Sequence, residues 1–433
     1  MAEVLDAREL ARLQERSLGA DYKGIPLGVT TTLADLGNHG WVVPAGHVSL
    51  PTVTLRRSAL ESNVATMAEF CRRHGALLAP HGKTTMAPQL FDLQLAAGAW
   101  GLTCATPTQA AVMRRFGAPR VVLANEMTDS AAVRWVGREL DADPGFEFMC
   151  LVDSVAGVEL MTEVLAPAGV RRPLDVLLEV GVPGGRCGVR DRGAAGAVAE
   201  ACQRSPRLRL VGVEGYEGLV TSGGSPRDLA EVDAFLDRIH AVTIDLDSAG
   251  LFEGEAIVVT AGGSNHFDRV VARLSNWPPL SRPVSLVLRS GCYLTHDGAG
   301  YERVSPLAQR EAGDEDLRLV NALTGWARVL STPEPALVVV DAGKRDFPYD
   351  VELPIPRTVH RAAESASLHG RVTTTGIMDQ HMFLRLDDAA PNVAVGDIAA
   401  FDLSHPCTAF DKNQLLFVVD DNDVVIGGVL TLF

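Results

Sequence analysis

From about residue 76 to residue 290 the chain alternates short apolar runs, rich in Val and Leu, with longer amphipathic stretches. That alternation of periods is the pattern of strands joined by crossover helices. The apolar runs are Leu77–Pro80, Trp100–Cys104, Val121–Ala124, Phe146–Leu151, Asp175–Val180, Leu208–Glu214, Ala256–Thr260 and Val284–Arg289. Between them Pro107–Phe116, Ser130–Leu140, Val155–Leu165, Gly193–Cys202 and Arg227–Ala249 carry a helical period. Eight buried strands with helical crossovers predict an α/β fold, a closed parallel (β/α)8 TIM barrel. A doubly wound open sheet has the same local pattern but rarely this many regular units. Beyond Arg289 the texture changes to β-type runs between turn clusters, as in Ala336–Val340, Ile398–Leu403, Leu415–Val419 and Val424–Val429. The predicted organisation is therefore an N-terminal segment over 1–45, a barrel over 46–290 and a C-terminal β domain over 291–433. Ahead of the barrel strands lie His47–Leu55 and a helix-like Ser58–His74, and part of the N-terminal segment is expected to pack on the β domain.

Composition narrows the class. A chain of 433 residues exceeds what one growing core holds, in keeping with two domains. With 47% apolar and 21% charged residues it reads as a packed globular protein. The net charge of −15 argues against a nucleic-acid partner, which demands clustered Lys and Arg. Met1–Gly19 is charged and helix-like, unlike a secretory leader, and no run of eighteen apolar residues suggests a membrane span. The seven cysteines are scattered, without a C-x-x-C pair, which fits a reducing cytoplasm. The expected partner is a small molecule.

Barrel enzymes carry their chemistry at the C-terminal ends of strands. The first run ends in Pro80-His81-Gly82-Lys83-Thr84-Thr85, where a lysine entering the barrel mouth can be desolvated and freed to form a Schiff base. Gly82-Lys83-Thr84 is not a P-loop tail, because Leu77 stands where that motif needs its first glycine. The seventh run is followed by Gly262-Gly263-Ser264-Asn265 and a helix-like His266–Leu274, a glycine-rich turn at the place where barrels hold phosphate. The fifth ends in Gly185-Arg186-Cys187-Gly188, whose arginine can reach a heteroaromatic nitrogen. The sixth ends in Gly215-Tyr216-Glu217-Gly218, whose tyrosine can line a flat ligand. No G-x-G-x-x-G supports a dinucleotide site. In the β domain, Ser404-His405-Pro406-Cys407 spaces an imidazole and a thiol two apart. On an extended strand both would face one side and could share a metal, with room left for substrate.

Together these segments resemble the fold-type III pyridoxal-phosphate family of alanine racemases, D-threonine aldolases and D-serine dehydratases, from about Leu50 to the C-terminus. Pro80-His81-Gly82-Lys83-Thr84 is similar to the family's lysine signature, and Gly185-Arg186-Cys187-Gly188-Val189 to its glycine–arginine segment. The resemblance implies pyridoxal 5'-phosphate on Lys83, with cofactor contacts from His81, Arg186, Tyr216, Gly262, Gly263 and Ser264. It also implies a divalent metal, zinc, on His405 and Cys407, which are similar to the dehydratase ligands where aldolases tend to offer histidine and aspartate. Thr85, where better-known members have histidine, and the Ser264-Asn265-His266 continuation depart from the pattern and bear on the substrate. The implied activity is elimination of ammonia from a small D-configured β-hydroxy amino acid. Lys83 would remove the α-proton and the metal would draw off the hydroxyl, within a homodimer whose site borrows the partner's β domain. Retro-aldol cleavage remains open, as does racemisation using one of Tyr293, Tyr301 or Tyr349 as a second base. A non-catalytic carrier of the cofactor is a further reading.

Overall fold

A computed structural model describes residues 4–309, 314, 316–362 and 364–433. A strand overlaps each of the eight apolar runs: Leu77–Leu78, Leu102–Cys104, Arg120–Glu126, Glu147–Val152, Leu174–Val180, Leu208–Gly215, Ile257–Ala261 and Val284–Leu288. All neighbours are parallel, and the last strand pairs back onto the first through Val287 with Leu77 and Leu288 with Leu78. The first and second strands close the ring, with Trp100 N–H donating to Leu78 O at 2.7 Å, Thr103 N–H to Pro80 O at 2.9 Å, and a parallel bridge from His81 to Thr103. The sheet is thus a barrel, as the eightfold pattern predicted.

The strands are apolar almost throughout because both faces are covered. Inward side chains, among them Ala79, Val122, Met149, Leu177, Val211 and Val287, form a separate apolar plug inside the ring. With its interior filled, the barrel offers a ligand only the end where the strands finish. The helices outside start on the expected caps. Thr106 accepts from Gln109 N–H ahead of Pro107–Arg115, and Ser225 forms a capping box with Asp228 ahead of Pro226–Ser248. One helix, Pro88–Ala96, was not expected. Its Leu90, Phe91, Gln94 and Leu95 are buried, and its partly exposed side carries only Gln89 and Asp92 as polar residues, too narrow a stripe to mark a surface helix.

The second domain is a largely antiparallel sheet built on Leu323–Glu334, which pairs with both Ile398–Asp402 and Leu337–Val340. Strand Thr52–Arg56 corrects the expected boundary at residue 46. It lies in this sheet, antiparallel to Leu323–Glu334 and parallel to Leu415–Val419, and the barrel begins with the helix Arg57–His74 that follows it. The units are pinned together at buried Asn63. Its Nδ2 donates to Leu294 O at 2.9 Å and Val320 O at 2.8 Å, while its Oδ1 accepts from Val320 N–H at 2.8 Å. Among the described residues no helix is long and apolar enough to cross a membrane.

Candidate active site

At the C-terminal end of the barrel strands lies a cavity of about 270 Å³, lined by His81, Lys83, Arg186, Tyr216, Gly263, Ser264, His405 and Cys407 among others. Of the residues expected to hold cofactor or metal, Gly262 alone is absent from this lining; of the three tyrosines weighed as a second base, Tyr301 lines it and Tyr293 and Tyr349 do not.

Lys83 sits in a 3-10 turn, Gly82–Thr84, directly after the first strand. The turn needs glycine at its start, since a Cβ on Gly82 would meet Met113 Cε at 2.4 Å and Phe91 Cε1 at 2.8 Å. Lys83 makes no hydrogen bond or ion pair with the described residues, so its amine is presented to the cavity without a competing partner. His81 faces the same space with its Nδ1 unpartnered. Burial, then the charges of Lys83, Arg289 and Arg186, hold its imidazole well below the usual range, and it is neutral near pH 7.

Two arginines flank the cavity differently. Arg186 belongs to an exposed loop and lies over the Tyr216 ring, 5.0 Å from its centroid. Arg289, at the end of the last strand, is buried: Nη1 donates to Thr260 Oγ1 at 2.8 Å, Nη2 pairs with Glu214, and Nε has no protein partner. Burial raises the Glu214 carboxyl, against the pull of Arg289. Burial, with Glu126 and Glu214 nearby, also pushes Glu179 up to about 10, so the mouth carries less negative charge than its carboxylates suggest.

The glycine-rich loop differs from expectation. The amides of Gly262 and Gly263 do not point to an open anion site but donate to the two carboxylate oxygens of Glu217, at 3.0 and 2.6 Å. Glu217 is fully buried and holds the loop from behind. What the loop presents to the cavity is Gly263 and Ser264, whose hydroxyl accepts from Cys292 N–H at 3.2 Å.

His405 and Cys407 also differ in setting. They do not lie on a strand: His405, at φ 47, caps the short helix Pro406–Asp411, and Cys407 falls in its first turn. Both still face the barrel of their own chain. The Cys407 thiol donates to Thr84 Oγ1 at 3.4 Å, beside Lys83, and its sulfur is 3.8 Å from that of Cys292. His405 Nδ1 bonds Asp350 Oδ2 at 2.5 Å, and Asp350 is itself steadied by the Thr408 hydroxyl at 2.9 Å. Contacts with Cys292, His405 and Thr84 draw the Cys407 thiol well below its usual range. The neighbouring Cys407, and then Asp350, push His405 up to about 9. Sequence reasoning missed Arg289, Cys292, Asp350 and Glu217. The first two follow directly after the eighth strand, where the strand-end rule points. Glu217 stands inside the Gly215–Gly218 strand end, where only the tyrosine drew notice, and Asp350 carries no motif.

A barrel closed around a plug, a strand-end lysine and a polar mouth roofed by a β domain define a fold-type III barrel enzyme. Residues 55–274 match the family described as "Alanine racemase, N-terminal domain", and residues 322–419 match "Putative serine dehydratase domain". The chain belongs to this fold-type III pyridoxal-phosphate family, on the branch of D-serine dehydratases and D-threonine aldolases. A D-threonine aldolase of Arthrobacter sp is 26% identical over 385 residues, 88% of this chain and 92% of the relative. A 3-hydroxy-D-aspartate aldolase of Paracoccus denitrificans is 25% identical, covering 73% and 79% of the two chains. The crystal structure of D-threonine aldolase from Filomicrobium marinum superposes with a TM-score of 0.71 at 25% identity, over 89% of this chain and 95% of that one. The D-threo-3-hydroxyaspartate dehydratase from Delftia sp. HT23, at 21% identity and TM-score 0.69, over 89% and 97% of the two chains, shares the fold.

Proposed function

We propose that the chain is a pyridoxal-phosphate- and metal-dependent dehydratase acting on a small D-configured β-hydroxy amino acid such as D-serine or D-threonine, releasing a keto acid and ammonia. One observation carries this reading: Lys83 and the His405–Cys407 pair line a single cavity, so a basic amine and a soft metal-binding pair address the same bound molecule. The donor atoms fit both groups. Unpartnered buried atoms, His81 Nδ1 and Arg289 Nε, face a polar ligand at the barrel mouth, and an imidazole with a thiolate suits zinc. When bound, pyridoxal phosphate supplies an electron sink for charge developing at the substrate Cα, and the divalent ion supplies Lewis acidity toward the β-hydroxyl.

The chain's own residues do the rest. Lys83 would anchor the cofactor, and its Nζ, free to act as a base, would take the α-proton of the substrate. Tyr216, backed by Arg186, forms a flat wall. Arg289, fixed by Glu214 and Thr260, lines the cavity with its Nε unspent among the described residues. Glu217 keeps the Gly262–Gly263 turn in shape. Asp350 orients the His405 ring so that its second nitrogen is left for a metal. Tyr301 lines the cavity, but burial holds its phenol protonated, which makes it a poor second base for racemisation.

A retro-aldol reading is favoured by the aldolase relative that spans most of the chain. It uses the same lysine and metal but deprotonates the β-hydroxyl instead of expelling it. Incubation with D- and L-serine, threonine and 3-hydroxyaspartate, scoring ammonia, aldehyde and inverted amino acid separately, decides between them. Ammonia from a D-substrate, lost on chelation while the cofactor stays bound, is the expected result. Metal-dependent aldehyde in its place moves the chain to the aldolases, and full ammonia release without metal removes the metal from the elimination.

A further inference from the structure

We propose that Cys292 is a third protein ligand of the divalent metal, so that the site is His405, Cys407 and Cys292 and the ion joins barrel to β domain. The proposal rests on the metal-dependent reading above and extends it to a residue outside the His-x-Cys pair.

The distance between the sulfurs is the first ground. Cys292 Sγ and Cys407 Sγ are 3.8 Å apart. Two thiolates bound to one tetrahedral zinc at about 2.3 Å stand about 3.8 Å from each other, so the pair already spans one edge of such a site. The second ground is His405. With Nδ1 committed to Asp350 at 2.5 Å, Nε2 is the nitrogen left for an ion, and a carboxylate behind a metal-bound imidazole is the usual supporting arrangement. Cys407 also hydrogen-bonds His405, which places the three residues in one chain of contacts running from Cys292 to Asp350. Seating the ion requires His405 to turn its Nε2 edge onto the two sulfurs. The third ground is placement: both cysteines line the cavity that holds Lys83, so a fourth position would open toward the substrate. Two thiolates, one imidazole and one open position make a catalytic rather than a closed structural site.

Both sulfurs would bind as thiolates and the imidazole as the neutral base, so loading releases protons to solvent and no redox change occurs. Cys292 follows the last barrel strand in a 3-10 turn, whereas His405 and Cys407 belong to the second domain. One ion would therefore tie the barrel's rim to its roof.

The test uses the full chain stripped of metal and titrated with Co²⁺ and Zn²⁺, comparing wild type with Cys292→Ser, Cys292→Ala, Cys407→Ser and His405→Ala, with near-ultraviolet circular dichroism to verify folding. Wild type should bind one ion per chain with a sulfur-to-cobalt charge-transfer band. Both Cys292 variants should lose about half that band, because one of two thiolates is gone, and bind zinc at least tenfold more weakly. A band and affinity unchanged in folded Cys292→Ser, with both lost in Cys407→Ser, would reduce Cys292 to a hydrogen-bonding neighbour and leave the metal reading intact. Absence of any stoichiometric ion in the wild type would overturn that reading as well as this one.

Discussion

Lys83 is the residue on which the rest depends, and its setting explains why. An exposed lysine makes transient salt bridges, but this one is turned inward by a tight turn that tolerates no side chain at Gly82 and meets no carboxylate there. His81 beside it is held neutral by burial, and Arg289, at the same mouth, is engaged by Glu214. An amine so placed is available as a nucleophile. Purified Lys83→Ala should therefore lack the cofactor absorbance band that borohydride abolishes in the parent protein. A band that survives the substitution and remains reducible would assign the anchor to another lysine.

The Gly262–Gly263 turn shows how an element can serve a ligand without offering it the expected atoms. Its two amides are spent on Glu217, which fixes the turn, while Gly263 closes against Tyr216. A Cβ at Gly263 would lie 2.7 Å from Tyr216 Cε2 and 3.2 Å from Glu217 Oε1. Gly263→Asp thus pushes the ring aside and sets a carboxylate against a buried carboxylate. Pyridoxal-phosphate affinity, followed by equilibrium dialysis, should fall at least tenfold, which corresponds to about 1.4 kcal/mol. Unchanged affinity would detach this turn from the cofactor. The same turn marks where sequence stops being informative. Its position after the seventh strand was legible, because strand periodicity is a local property. The partner of its amides was not, because Glu217 belongs to a different strand end and nothing local ties the two together. The eight strands were legible for the same local reason. The helix Pro88–Ala96 was hidden because its apolar residues are spread around it rather than set in one stripe, and the pairing of Thr52–Arg56 with strands from the far end of the chain leaves no trace in its own neighbourhood. His405 and Cys407 line one cavity, as their spacing suggested, but by a different geometry: the left-handed backbone at His405 turns an expected strand into a helix cap.

Barrel and β domain meet along a seam that runs from Asn63 through the segment Leu294–Asp297 to His405. His296 lies in that seam, buried, and burial holds its pKa down to about 4 although Glu302 stands 3.2 Å from Nε2. In the unfolded chain the same imidazole takes a proton near pH 6.5. Between these values the unfolded state binds a proton that the folded state does not, so folded stability falls as pH drops from about 6.5 and the loss is complete below about 4. The shift is worth about 3 kcal/mol. His296→Asn, which tolerates the same left-handed backbone, should flatten this part of a denaturation-versus-pH profile relative to the parent. Equal slopes in the two proteins would show that His296 is protonated in the fold.

The strand Thr52–Arg56 also sets an order of events during synthesis. It leaves the ribosome ahead of the whole barrel, yet its partners, Leu323–Glu334 and Leu415–Val419, are the work of the last stages of translation. Until then the nascent chain carries a strand whose Thr52–Leu55 stretch is destined for the interior, with both its edges unpaired. The barrel can form beside it, but the roof over the active site waits for the final segment. A ribosome that stalls late thus releases a barrel bearing a strand with both edges open, the kind of surface that chaperones shield and that aggregates otherwise.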